Sequence, residues 1–156
     1  MSQVESRLAE LGLCLPPPPA PAGSYVPVVI SGSLAFTSGQ LPLQEGALQV
    51  KGKIGRDVSL EQGAELARVC VLNALAALRQ ALGDLDRVRQ VVKLTGFVAS
   101  APGFTEQPKV VNGASDLLIR VFGERGRHAR SAVGVAELPL CAPVEVELTV
   151  EIVSDG

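Results

Sequence analysis

Between Val144 and Ile152 the chain alternates without interruption: Val144, Val146, Leu148, Val150 and Ile152 are apolar, and Glu145, Glu147, Thr149 and Glu151 fill the positions between them. Side chains of a strand point to opposite faces in turn, so a period of two describes a strand with one face in a core and one acidic face turned away. The segment from Ala129 to Val135, just upstream, is the neighbouring strand candidate. If Val133 and Val135 face the core, Arg130, Ala132 and Gly134 share the polar side. An antiparallel hairpin of the two strands then brings Arg130 near Glu145. Such a pair has two readings: an ion bridge that pins an interface, or a cation and a carboxylate set around a ligand.

The rest of the chain alternates between helical and strand patterns. Residues 2 to 13 form a short amphipathic helix with Val4, Leu8 and Leu11 on one side, stopped by Gly12 and Pro16. The run Pro16 to Pro19, continuing to Pro21, lacks amide donors and favours an extended arm across the surface. Val26 to Ile30, then Ser31-Gly32-Ser33, then Leu34, Phe36 and Thr37 read as a β-hairpin, ended by Ser38-Gly39. From Ser59 to Leu82 apolar residues recur at Leu60, Ala64, Ala67, Val71, Leu75, Leu78 and Leu82, which predicts the strongest helix of the chain. Ser59 with Gln62 three residues on predicts a capping box, and Gly83 a C-terminal stop. Val88 to Val98 is β-rich, and Pro102-Gly103 turns the chain into a second helix from about Thr105 to Phe122, with Pro108 in its first turn. The division that follows is a helix and proline-rich arm over residues 1–23 and one domain over residues 24–156.

Composition narrows the function classes. An apolar share of 47% in 156 residues fills one core without disulfides or a metal. A net charge of -2 with scattered basic residues leaves no electrostatic footprint for nucleic acid, and 3% aromatics leave few stacking platforms for bases. Cys14, Cys70 and Cys141 lie far apart with no C-x-x-C pair, which argues against a zinc site or a disulfide framework. The expectation is a soluble, cytoplasmic chain with no membrane partner, since Glu5 and Glu10 stand where a secretory signal needs an apolar run.

The block from His128 through Arg130-Ser131-Ala132-Val133-Gly134-Val135 to Leu138-Pro139, followed by Val144-Glu145-Val146-Glu147, resembles the signature of the YjgF/RidA family of reactive-intermediate deaminases, also called the L-PSP endoribonuclease family. Ser24-Tyr25, Thr37-Ser38-Gly39-Gln40-Leu41-Pro42 and the helix with Gln62 and Asn73-Ala74 agree in order. The likeness runs from about Tyr25 to Ile152, and the proline-rich arm is similar to that of a divergent branch. The resemblance implies an α+β, chorismate-mutase-like fold: a mixed sheet with two helices packed on one face, assembled as a homotrimer with pockets between subunits. It implies that Arg130 binds a substrate carboxylate, that Glu145 positions water, and that Tyr25, Ser38, Gly39, Asn112 and Ala132 line the site. Ala132 stands where many relatives carry cysteine or a larger residue, so a reactive thiol is no part of it.

The implied reaction is hydrolytic deamination of 2-imino or 2-enamino acids to 2-oxo acids and ammonia. The residue types suit it. A guanidinium offers a planar fork of donors that matches a carboxylate, and a carboxylate can accept a proton from water beside an imine carbon. A protonated imine is already a strong electrophile, so no cofactor and no metal is expected. The alternatives are a trimer that binds small carboxylates without turnover and, further away, an endoribonuclease. His128, the sole histidine, falls on Arg130's side by strand parity and is read as a strand-end residue rather than a general base. The cysteines are read as apolar packing residues with Cys141 accessible, and Glu147 and Glu151 as solvated or interface charges. The glycines from Gly46 to Gly55 lack the Lys-Ser/Thr ending of a phosphate loop.

Overall fold

The computed structural model describes residues 2–18, 20, 21 and 23–154. Pro19 of the proline run lies outside the described residues, as do Met1, Ala22, and Asp155 and Gly156 at the end of the 24–156 division. In chain order the elements are α1 (Gln3–Glu10), β1 (Val28–Ser31), β2 (Leu34–Thr37), the short pair β3 (Leu43–Gln44) and β4 (Ala47–Leu48), α2 (Leu60–Leu82), β5 (Val88–Ala99), α3 (Gln107–Phe122), β6 (Ala129–Val135) and β7 (Val144–Ile152). Five strands form one mixed sheet in the order β1-β2-β7-β5-β6, with β5 and β6 parallel and every other pair antiparallel. The result is the mixed α+β architecture expected.

The strand with the strict alternation sits in the middle. Val144, Val146, Leu148, Val150 and Ile152 are all buried, each burial contributing roughly 1.5–3 kcal/mol relative to exposure. The layer they face is α2 and α3, whose Val71, Leu75, Leu78, Leu118 and Val121 are buried in the same cluster. Ser59 caps α2 as predicted: its hydroxyl accepts the Gln62 amide at 3.1 Å, and the Gln62 side chain accepts the Ser59 amide at 3.2 Å. Thus α2 begins where the capping box says it should. The second helix starts two residues later than expected, at Gln107, with Pro108 in its first turn.

The two helices cross closely at Gly113, where an added Cβ would lie 1.9 Å from the backbone oxygen of Ala64. Only a residue without a side chain fits there.

α1 is fastened to the rest by Asp86, whose carboxylate accepts the amides of Gln3 at 2.9 Å and Val4 at 3.2 Å, two of the orphan donors at the helix N-terminus. Val4 and Leu8 join the main core, and the Arg7 guanidinium donates to the Val121 carbonyl at 2.9 Å. Asp86→Ala should cost about 1 kcal/mol, the usual value of a lost cap. Faster amide exchange confined to residues 3–10 would show it, and unchanged protection there would refute it.

One pairing differs from expectation. β6 does not form a hairpin with β7; it pairs in parallel with β5, and β7 lies on the other side of β5. The connection over 136–143 explains this. It is no tight turn: it contains Pro139 and Pro143, and it holds Leu140 and Cys141 at left-handed φ of 60° and 62°. It also crosses the end of β5, where Ala99 donates to the Pro143 carbonyl at 3.0 Å. The phase of β6 is inverted as well. Val133 is 43% exposed, whereas Ala132 packs against the core under the helices. The small residues take the helix side, where a Cβ on Gly134 would lie 2.9 Å from both the Gln107 side chain and the Ser100 hydroxyl.

Candidate functional site

Arg130 stands on the edge strand β6, opposite Leu94 of β5, with its side chain turned toward α3. One terminal nitrogen, Nη1, donates to Asn112 Oδ1 at 2.8 Å and to Ser115 Oγ at 3.2 Å. Asn112 and Ser115 are three residues apart on α3, hence on the same helix face. Ser115 Oγ lies 2.9 Å from His128 Nε2, and His128 Nδ1 lies 2.6 Å from the Gly126 carbonyl. These groups, with Asp116 and Arg127, line an open recess of about 280 Å³. It presents a fixed cation with polar neighbours, the chemistry of an anion site.

Glu145 belongs to a second cluster. It lies opposite Phe97 on the face of the sheet away from the helices. Gln40 bridges to Val146 through both backbone bonds, at 2.8 and 3.0 Å, and this holds Gly39 against the glutamate. A Cβ on Gly39 would lie 2.5 Å from Glu145 Oε1, so the absence of a side chain is what lets the carboxylate approach that backbone. Ser38 Oγ donates to the Val26 carbonyl at 2.6 Å, and the Asn73 side chain, buried in α2, donates to the carbonyls of Leu41 and Leu43 at 3.0 Å each. The loop after β2 is therefore tied at both ends. Burial, and then the neighbouring charge of Glu147, raises the Glu145 carboxyl above the ordinary carboxylate range.

That raised value has a stability consequence. Between the ordinary carboxylate pKa and Glu145's own, the folded chain binds more protons than the unfolded one, so stability falls as pH rises through that window. Glu145→Gln should remove the fall and leave the variant more stable than the parent above the window. Urea unfolding at a series of pH values checks this, and parallel curves for the two proteins would contradict it.

The expected site residues thus divide in two. Arg130, Asn112 and Ala132 lie on the helix side, while Glu145 and Gly39 meet on the opposite face, with Ser38 beside them. Arg130 and Glu145 are not side by side in one chain, because β5 runs between their strands and their side chains leave opposite faces. Tyr25 stands in the bend before β1, 49% exposed, its ring beside Gly23. Ser115 is the residue that sequence reasoning missed. Its place three residues after Asn112 on the same predicted helix, hence on the same helix face, was the available signal.

A larger groove of about 660 Å³ runs between α1, Pro16 to Pro18 and α2. It is mostly apolar, and its charged groups Glu5 and Arg79 are paired with each other, so the recess at Arg130 has the better claim to chemistry. Cys14 and Cys141 are both exposed, which corrects the expectation that Cys141 alone is accessible; Cys70 is buried, and burial pushes its thiol pKa well up. Among the described residues no cluster of three or more His, Cys, Asp or Glu forms a metal site, and no helix is long and apolar enough to cross a membrane.

Comparison with known proteins adds to this picture. The family described as "YjgF/chorismate mutase-like, putative endoribonuclease" matches residues 5–152, a wider span than the likeness from Tyr25 onward. The chain is 50% identical to Protein TCP17 of Trypanosoma cruzi over 96% of its own length and 94% of the relative's. It is 33% identical to the 2-iminobutanoate/2-iminopropanoate deaminase of Salmonella typhimurium, over 83% of this chain and 88% of that one. Among solved structures, the Atu1372 protein of Agrobacterium tumefaciens, titled as having unknown function, superposes with a TM-score of 0.91 at 50% identity, covering 97% of this chain and 93% of that one.

Proposed function

Because the chain belongs to the YjgF/chorismate mutase-like family, we propose that it hydrolyses small 2-imino acids to 2-oxo acids and ammonia, in pockets formed between copies of the chain in a homotrimer. The observation that carries this reading is the division of the site. A guanidinium held by Asn112 and Ser115 lies on one side of the sheet, and a half-buried carboxyl against Gly39 lies on the other. One chain cannot present both to one substrate; two chains can. The outer sheet face also invites a partner, since Val29 and Phe36 form an exposed cross-strand pair, 52% and 40% accessible, on the same face as Glu145 and Glu147. Closed symmetric association covers such a surface.

In the reaction, Arg130 binds the substrate carboxylate and fixes the imine carbon near Glu145 of a neighbouring copy. Glu145 accepts a proton as water adds to that carbon, giving a carbinolamine, and returns it to the nitrogen as ammonia leaves and the carbonyl forms. A carboxyl raised above its ordinary range suits both steps better than a fully solvated one. The name of the Salmonella relative supports the substrate class. The net charge of -2 weighs against RNA.

The direct test couples a pyridoxal-phosphate enzyme that releases 2-imino acids to this protein and follows 2-oxo acid formation. Absence of acceleration with several amino acids, by a folded oligomer, would sink the deaminase reading; binding of 2-oxo acids without turnover would favour the carboxylate-binding alternative. Glu145→Gln should lower the rate by roughly a hundredfold, the typical share of general acid-base catalysis. A mixture of Glu145→Gln and Arg130→Ala chains, refolded together, should regain activity at about a quarter of the pockets if each draws on two subunits of a ring. A mixture no better than its components would place both residues in one chain's pocket.

A further inference from the structure

Arg130 holds its charge whatever its orientation, but a bidentate grip on a carboxylate depends on which edge of the guanidinium faces the ligand. Around Arg130 the hydrogen bonds run in one direction. The Gly126 carbonyl can only accept, so His128 Nδ1 carries the proton of their 2.6 Å contact. In the neutral ring that leaves Nε2 without a proton, and Nε2 then accepts the hydroxyl proton of Ser115 across 2.9 Å. The Ser115 oxygen is in turn the acceptor for Arg130 Nη1 at 3.2 Å. The opposite tautomer would put the Nε2 and Nη1 protons on the one oxygen of buried Ser115 and leave two acceptors, Nδ1 and the Gly126 carbonyl, facing each other at 2.6 Å.

Asn112 takes the second proton of the same nitrogen at 2.8 Å. Both hydrogens of Nη1 are thereby engaged by the chain itself. The edge made by Nε and Nη2 is left for a ligand.

We propose that Ser115 and His128 are positioning residues for Arg130: a relay from the Gly126 carbonyl through the imidazole and the hydroxyl that locks the guanidinium so that its Nε and Nη2 edge meets the substrate carboxylate. The proposal rests on the reading of Arg130 as the carboxylate clamp. It assigns work to the one histidine of the chain without making it an acid or a base. It also accounts for a serine in the middle of a helix whose hydroxyl points out toward β6 rather than back to its own backbone.

Two measurements test it, one of them independent of any ligand. His128 is the only histidine in the sequence, so the imidazole nitrogens of untagged, 15N-labelled protein need no assignment by mutation. The expected spectrum of the neutral ring has a protonated Nδ1 and an unprotonated Nε2, and Ser115→Ala should move the Nε2 resonance while the Gly126 carbonyl keeps the proton on Nδ1. The opposite tautomer, or a ring that averages between the two in the intact protein, overturns the relay.

The second measurement is calorimetric binding of pyruvate, a 2-oxo acid of the proposed product class. Ser115→Ala and His128→Leu should each weaken it about tenfold, the effect of losing one charge-assisted orienting bond. His128→Gln, whose amide oxygen can stand near the place of Nε2, should stay within about twofold. In an Arg130→Lys background, where a point charge has no edge to orient, Ser115→Ala should add little. Equal losses from Ser115→Ala in both backgrounds would show a merely structural residue and overturn the proposal, as would wild-type affinity in Ser115→Ala. If Arg130→Ala itself binds pyruvate like the parent, the clamp reading fails instead, and the tautomer spectrum tells that failure apart from failure of the relay.

Discussion

Arg130→Ala should weaken binding of a small 2-oxo acid by roughly a hundred- to a thousandfold, because it removes two parallel charge-assisted bonds and the cation that Asn112 and Ser115 hold in the recess. The fold should survive the change. Arg130 sits on an edge strand, its Nη1 partners Asn112 and Ser115 are on a helix anchored elsewhere, and Ser115 keeps its bond to His128. Loss of the guanidinium does leave Asn112 Oδ1 without its donor, yet the recess is open and water can replace it. Affinity should therefore collapse while thermal stability moves little. Arg130→Lys should fall between, about tenfold weaker than the parent, since the charge remains and the fork does not. Retained affinity in Arg130→Ala, measured on an oligomer of normal size, would show that the carboxylate binds elsewhere.

Gly113→Ala should be the most damaging single methyl group in the chain. Its Cβ would stand 1.9 Å from the Ala64 carbonyl oxygen, with the carbonyl carbon and Cα of Ala64 also within 3 Å. A clash with the far end of a flexible side chain is relieved by rotation; a clash with helix backbone is relieved only by moving a helix. We expect a loss on the order of 3 kcal/mol or more, seen as a fall in melting temperature on the order of 10 °C for a chain of this size. Because Asn112 is the adjacent residue and Ser115 lies half a turn further on, any shift of α3 also displaces the groups that hold Arg130, so affinity should drop with stability. Normal melting would mean that the two helices are less closely apposed at this point than the structure describes.

Much of the fold was legible because each legible element carries its own local signal. The capping box at Ser59 and Gln62 and the apolar recurrence to Leu82 define α2 without reference to anything distant. The alternation from Val144 to Ile152 states which side of β7 is buried. What alternation does not state is which strand lies alongside, and the hairpin between β6 and β7 was an inference from proximity in sequence. In Ala129 to Val135 the larger valines drew the core-facing assignment to themselves, but the smaller Ala132 and Gly134 take the helix side of this edge strand and Val133 is left outside. Arg130, on the same phase as those small residues, therefore turned up over α3 and not over the acidic face. The pair β3 and β4, two residues each, is too short to leave a periodic trace. Of the candidate site, Arg130 and Asn112 were singled out and do meet; Glu145 was singled out and meets Gly39; that the two sets lie on opposite faces depends on long-range strand order that local pattern does not encode.

The central position of β7 bears on how the chain acquires its shape during synthesis. β2 and β5 are made long before residue 144, but they are not neighbours; the slot between them is filled by the strand that follows all the others in sequence. A nascent chain that has already produced both helices still has a sheet divided into two parts, β1 with β2 and β5 with β6, each exposing an unpaired row of amides and carbonyls where β7 will insert. Closing it joins residues more than a hundred positions apart, as the 2.9 Å bond from the Leu148 amide to the Thr37 hydroxyl illustrates. Such late, non-local closure is slow and leaves sticky edges open while it waits. Glu145, Glu147 and Glu151 on one face of β7 then have a second use: charges of one sign keep the last strand soluble, and averse to pairing with copies of itself, until its slot is ready.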